Sequence, residues 1–400
     1  MIKKTWVVGT ILLSFFSFFT SAQTLKTGVW RFELTADRAS IPFLIEFEWQ
    51  KNKLAGKLYN GKETIPLTDV VYTRKSLRIP LQNYEIVLEL QEQSPELLTG
   101  YLIKQNKSPQ LKYPIKGVQG INERFPEEKS PAKIDLNGRW ELKLTDSDNV
   151  TTPGIGLFQQ KGNYVTGTIM TMTGDYRYLE GFVSGNEFKL ASFDGVFNFL
   201  LKGKVEEGNL KAVLAANLVT NIEGKKNSQA ELPSAYEQTK VSELSFKFPD
   251  LSGKIISLAD PKFKNKPVIV QFFGSWCPNC IDEMNYFIPW YKENQKRGVE
   301  IIALAFERSL TEMDAKRQLL KVQKKKNVPY TLLIAGSTSK DKPMDKIPGL
   351  KNFISFPTTV FLNKKHEVVK VHAGFNGPST GEFFEKWKTE FNQTINELLK

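Results

Sequence analysis

The sequence predicts a multidomain protein: two small all-β modules, each a small barrel or sandwich, followed by an α/β layered domain. Three observations carry this. The chain has 400 residues, too many for one ordinary core. As far as about residue 222 it runs in short alternating segments, with turn signals every 8 to 12 residues or roughly so. Beyond residue 240 it changes to apolar runs separated by helical periods.

Composition removes several classes of function. Hydrophobic residues make up 40% and charged residues 24%, a globular balance that excludes wholesale disorder. Two cysteines are too few for a disulfide-stapled scaffold. Long uncharged apolar sequence occurs only at the N-terminus, which excludes a polytopic membrane protein. The net charge is +12, and most of it lies in residues 240–400, with 26 Lys and Arg against 17 Asp and Glu. Such a surface suits acidic partners or association with an anionic membrane surface. No basic face interleaved with aromatics appears, so nucleic acid is not an expected partner. Lys324-Lys325-Lys326 is read as a solvated helix end.

Residues 1–22 have the layout of a secretory signal peptide. Lys3 and Lys4 precede an apolar run from Trp6 to Phe19, and Thr20-Ser21-Ala22 offers a cut before Gln23. No cysteine follows the cut, which argues against a lipoprotein anchor. Cleaved or retained as an anchor, this segment places residues 27–400 outside the cytoplasm, in the periplasm or envelope.

The β modules are expected at 24–122 and 134–222, separated by Phe125-Pro126-Glu127-Glu128-Lys129-Ser130-Pro131. Strands such as Val29 to Leu34 and Tyr84 to Leu90 alternate apolar with polar residues, giving one buried and one wet face. An internal repeat of about 110 residues links the two modules. Gly28-Val29-Trp30 recurs as Gly138-Arg139-Trp140, and Gln50 to Gly56 recurs as Gln160 to Gly167 with one extra residue. An early Gly-x-Trp before a Gly-punctuated meander resembles lipocalin-like and avidin-like barrels. Trp30, Trp140, Phe188, Phe193, Phe197 and Phe199 are assigned to the core rather than to a ligand pocket.

A polar connector, 223–240, leads into the third domain, 241–400. A hairpin around Phe246 to Lys254 comes first. Pro267 to Phe273 is an apolar run suited to a central parallel strand. It passes through Gly274-Ser275 into Trp276-Cys277-Pro278-Asn279-Cys280, followed by a helix to about Arg297. Val299 to Phe306 is the next buried strand. Helix, strand (Tyr330 to Ile334) and helix alternate afterwards. A hairpin of Pro357 to Leu362 with Glu367 to His372 precedes a closing helix from Thr380.

These residues resemble the thioredoxin fold: a strand running into Trp-Cys-x-x-Cys at a helix start, with Phe356-Pro357-Thr358-Thr359 before a later strand. The Phe248-Pro249-Asp250-Leu251 hairpin, the Lys266-Pro267-Val268 strand start and Glu283 narrow this to TlpA-like and ResA-like extracytoplasmic thiol–disulfide oxidoreductases. The resemblance covers about 243–395. It implies a protein or peptide disulfide as substrate, an upstream thiol protein as electron donor, and reduction as the direction. It implies that Glu283 tunes the protonation of the cysteines and that Pro357 is a cis proline presenting the backbone of Phe356 to an extended substrate, with Thr358 beginning the strand beyond. Two positions depart from it. Gln271 stands where many thioredoxins have a buried Asp, and Met284 where the group often has Pro.

Physical chemistry gives the cysteines the same roles. A thiolate is the attacking species in disulfide exchange. Cys277 falls at a helix start, where unpaired N–H groups and the dipole favour an anion. Cys280, one turn on, can resolve the mixed disulfide, and Trp276 offers apolar surface to a peptide. No cofactor or metal is required. Structural zinc would need four ligands, and the only imidazoles are His366 and His372; His372 is read as a plain strand residue. Two other functions stand beside this one. One is an envelope protein that binds a ligand or partner and uses the third domain as a docking scaffold. The other is a thiol peroxidase, against which the Trp-Cys-Pro-Asn-Cys pattern argues.

Overall fold

The computed structural model describes residues 25–81, 84–105, 109–215, 218–233, 240–241, 244–308, 311–338 and 343–400. The expected signal peptide lies outside the described residues.

The first module contains β1 (Gly28–Thr35), β2 (Ser40–Gln50), β3 (Lys53–Asn60), β4 (Glu63–Leu67) and β5 (Val71–Thr73). It continues with β6 (Ser76–Pro80), β7 (Ile86–Ser94), β8 (Leu97–Lys104) and β9 (Leu111–Gln119). They form one antiparallel sheet, β4-β3-β2-β1-β9-β8-β7-β6-β5, that curls on itself and stays open between its edge strands β4 and β5. The second module contains β10 (Gly138–Thr145), β11 (Thr151–Lys161), β12 (Tyr164–Thr171), β13 (Gly174–Asp175) and β14 (Leu179–Ser184). It ends with β15 (Glu187–Phe193), β16 (Asn198–Glu206), β17 (Asn209–Ala215) and β18 (Val219–Lys226). Here β12 pairs with β11 on one side and β14 on the other, so the sheet closes into a barrel. Neither module is a sandwich. The second also runs past the expected limit of 222, because its closing strand continues to Lys226.

The repeat is visible in atomic detail. Gly28 and Gly138 sit at φ 96° and 100°, turning the chain so that Trp30 and Trp140 enter the two cores. Trp30 Nε1 donates to Lys26 O and Trp140 Nε1 to Leu136 O, both at 2.9 Å. The extra residue lies not in the Gln160 to Gly167 motif but in the preceding hairpin loop, 146–150 against 36–39. Gln50 and Lys161 therefore both end their strands at two-residue turns.

The interiors are filled. Trp140, Phe158 and Phe188 pack with Leu and Val side chains inside the closed barrel. Phe193 points instead into the first module, stacking on Phe43 with centroids 3.7 Å apart. Arg124, fully buried in the linker, donates to Pro42 O at 3.1 Å and Tyr59 O at 2.6 Å. Shared aromatic burial and a buried cation whose terminal nitrogens meet first-module acceptors thus hold the modules together.

The third domain opens with short strands β19 (Lys240–Val241), β20 (Lys247–Pro249) and β21 (Ile255–Ser257). Its sheet uses β22 (Val268–Phe273), β23 (Glu300–Glu307) and β24 (Thr331–Ser337), then β25 (Leu350–Lys351) as a short side pairing, β26 (Thr358–Leu362) and β27 (Val368–Ala373). The order is β24-β23-β22-β26-β27, with the first three parallel. Helices α1 (Pro278–Asn294), α2 (Glu312–Lys326), α3 (Pro343–Lys346) and α4 (Glu382–Leu399) complete the α/β layers. β22 is buried at every position, as its apolar sequence requires of a central strand.

Candidate active site

Cys277 is the N-cap residue of α1, with φ −100° and ψ 114°, and Pro278 fills the first helical turn. The Cys280 N–H donates to Cys277 Sγ at 3.3 Å. Both cysteines are reduced, Cys277 6% exposed and Cys280 fully buried. Burial pushes the Cys280 thiol well above its ordinary value, and the adjacent Cys277 sulfur adds to this. The two sulfurs are therefore inequivalent: Cys277 caps the helix and keeps a small exposed fraction, while Cys280 is held as a thiol, completely buried beneath it.

The Phe356–Pro357 peptide is cis, and Cys277 Sγ lies 3.6 Å from Phe356 O. Trp276 meets Phe356 edge to face at 5.6 Å. The Thr358 side chain, expected beside the substrate, points into the fold. It is completely buried and donates its hydroxyl to Ser355 O at 2.8 Å, so it shapes the turn before β26.

Glu283 is fully buried on α1 behind the cysteines. Gln271 Nε2 donates to its Oε2 and Thr359 Oγ1 to its Oε1, both at 2.8 Å. Burial raises its carboxyl to about 7 against these two hydrogen bonds, and its charge acts on Cys280. Gln271 thus serves the buried carboxyl rather than standing in for one.

Several neighbours escaped sequence analysis. At the end of β23, Glu307 accepts from Ser275 N at 2.8 Å and Ser275 Oγ at 2.7 Å. Phe306 O accepts from Trp276 Nε1 at 2.8 Å, and the Arg308 guanidinium lies 3.6 Å over the Trp276 ring. A carboxylate ending an otherwise apolar strand was the available signal for Glu307. Asp282, whose place beside Glu283 on the helix reads in sequence as a solvated carboxylate, is mostly buried and paired with Arg177 of the second module at 3.2 Å. Arg177 also reaches Asp194 at 3.5 Å and Glu63 of the first module, so one guanidinium joins all three domains. Lys325 and Lys326 are likewise engaged, with Asp69 at 2.8 Å and Asn285 at 2.9 Å. No local pattern announces these partners: Arg177 and Asp69 come from the β modules, and Asn285 from the neighbouring helix α1.

The β12–β13 turn of the second module sits on the redox motif. Gly174, at φ 137°, lies so close to Asn279 that a Cβ there would stand 1.9 Å from Asn279 Nδ2. Asp175 accepts from Gly377 N at 2.6 Å and Ser379 Oγ at 2.7 Å, fixing the turn beside the proline loop. From the first module, Tyr84 packs against the cluster containing both cysteines.

Among the described residues no group of His, Cys, Asp and Glu could hold a metal ion. His366 contacts Phe263 O at 3.0 Å, and His372 lies within β27, its imidazole lowered to about 4 by burial.

A redoxin family model matches residues 238–384. Thiol-disulfide oxidoreductase ResA of Halalkalibacterium halodurans is 30% identical over 151 residues, 37% of this chain and 76% of that protein. The chain belongs to the ResA family of thiol-disulfide oxidoreductases. ResA of Bacillus subtilis is 30% identical over 130 residues, 64% of its length. A thioredoxin family protein from Chlorobium tepidum covers 40% of this chain and 97% of its own, at 20% identity and a TM-score of 0.30. The redoxin match falls essentially within the third domain, and the family makes this protein a thiol–disulfide oxidoreductase.

Proposed function

We propose that this protein is an extracytoplasmic disulfide reductase acting through Cys277-Pro278-Asn279-Cys280. The observation that carries the reading is the inequivalence of the two sulfurs. Cys277 caps α1 and receives the Cys280 N–H, while Cys280 is sealed below it. The Cys277 thiolate attacks one sulfur of a substrate disulfide. A Cys277–substrate disulfide forms, the substrate S–S bond breaks, and the leaving sulfur takes a proton. Cys280 then gives up its proton, attacks the Cys277 sulfur and releases the second substrate thiol. The cysteines end as a disulfide, and two electrons have passed to the substrate. A dithiol protein then restores the reduced pair.

Glu283 is the group placed to accept the Cys280 proton, because its carboxyl is raised to about 7 and its charge acts on that thiol. Trp276 and the Phe356–Pro357 backbone form the surface for an extended substrate. The reductive direction follows from the family resemblance, and the location from the apolar segment at 6–19 behind Lys3 and Lys4. Among the described residues no helix is long and apolar enough to cross a membrane. The filled interiors of both β modules speak against the binding-protein alternative.

Cys277→Ser abolishes turnover, whereas Cys280→Ser accumulates substrate as a mixed disulfide on Cys277, detected by non-reducing electrophoresis and mass spectrometry. Full activity of Cys280→Ser with nothing trapped would refute the two-cysteine mechanism.

A further inference from the structure

The cleft beside the redox motif is built by two domains. It encloses about 330 Å³ and is lined by Tyr84, Glu85 and Lys104 of the first module and by Trp276, Glu307 and Arg308 of the third domain. We propose that this cleft is a substrate subsite selecting an extended disulfide segment with a carboxylate beside its cysteine, and that Arg308 is the residue that recognises that carboxylate. The inference rests on the exchange reading above and assigns a substrate class to it.

Shape supplies the first half. The β12–β13 turn covers Asn279, and Tyr84 packs against the core cluster that holds Cys277, so little of the nucleophile's surroundings is open. Cys277 itself is 6% exposed. The slot suits a single strand of chain, whereas the face of a folded domain would collide with the β modules before its sulfur reached Cys277.

Charge supplies the second half. The Arg308 guanidinium lies flat on the Trp276 ring, which fixes its position while leaving its in-plane N–H donors directed outwards. Its stacking on Trp276, the residue that precedes Cys277, places it beside the redox motif. Among the described residues no carboxylate is within ion-pair distance of it. Lys104 stands on the opposite wall, over the Tyr113 ring at 5.3 Å. Of the two carboxylates in the lining, Glu307 has both oxygens committed to Ser275, and Glu85 has Lys321 and Arg317 nearby. A planar fork held beside a thiolate matches a carboxylate in two-point contact.

The test uses full-length Cys280→Ser, which stops after the first exchange. Two short peptides differ only in having Glu or Lys on either side of one cysteine, carried as a pyridyl disulfide. Attack of Cys277 on the peptide sulfur breaks the pyridyl S–S bond, forms the peptide–Cys277 disulfide and releases pyridine-2-thione, read by absorbance. The Glu peptide reacts about tenfold faster at low salt, the advantage shrinks as salt is raised, and Arg308→Gln brings the ratio close to one. Equal rates for the two peptides, or a ratio unaltered by Arg308→Gln, overturn the recognition. A folded protein carrying the same pyridyl disulfide on a surface cysteine releases thione more slowly than the peptides, and Tyr84→Ala narrows that gap; equal rates before the substitution overturn the shape half. If neither peptide releases thione although Cys277 is present and reduced, the exchange reading itself falls and takes this one with it.

Discussion

Glu283 shows how burial sets chemistry at the scale of one residue. Its carboxyl is raised to about 7 by desolvation, with Gln271 and Thr359 opposing the shift. The folded protein therefore holds this proton where the unfolded chain has released it. The stability associated with it is full below about pH 4.5 and is lost as pH rises through 7, by roughly 3 kcal/mol at most. Glu307 and Asp282, also raised to about 7 by burial, push in the same direction. Thermal unfolding should thus occur at lower temperature at pH 8 than at pH 5.5, and Glu283→Gln should flatten that slope. A variant melting curve as pH-sensitive as the wild type would show that Glu283 titrates normally. The same substitution should slow resolution of the mixed disulfide more than its formation, measured by stopped-flow trapping.

At the scale of elements, the decisive contacts come from the end of β23. Phe306, Glu307 and Arg308 hold the Ser275-Trp276 loop by a backbone acceptor, a buried carboxylate and a stacked guanidinium. The loop between β22 and α1 is short and cannot set its own shape, so the neighbouring parallel strand sets it. Glu307→Ala leaves the Ser275 N–H and hydroxyl buried without their acceptor, a loss of about 1–3 kcal/mol. Urea denaturation should show this, and a change under a few tenths of that range would mean water replaces the carboxylate. The strands themselves were readable: β22, β23 and β26 announce themselves as apolar runs, and α1 follows Pro278 as the position of that proline requires. The repeat was readable too, although the place of its extra residue depended on which hairpin loop absorbed it.

At the scale of the molecule, Arg177 is where the domains depend on one another. It lies in the second module and neutralises Glu63 in the first and Asp282 two residues beyond Cys280. Replacing it with Met strands these carboxylates and Asp194 in a buried junction, a cost of about 3–5 kcal/mol. The β12–β13 turn should lift from Asn279, and Cys277 in the native fold should react faster with a bulky maleimide. Unchanged labelling would mean that Asp175 and the apolar contacts hold the domains without the ion cluster. The sequence by itself determined the layered class of the third domain, the repeated β modules and the two sulfurs at a helix start, because each is written in local periodicity or spacing. Only the tertiary structure decided that Thr358 is sealed, that Asp282 is paired, and that Tyr84, Gly174 and Arg177 stand over the redox motif. Those facts depend on surfaces that meet across a hundred residues or more, and such contacts leave no pattern in a neighbouring stretch of chain.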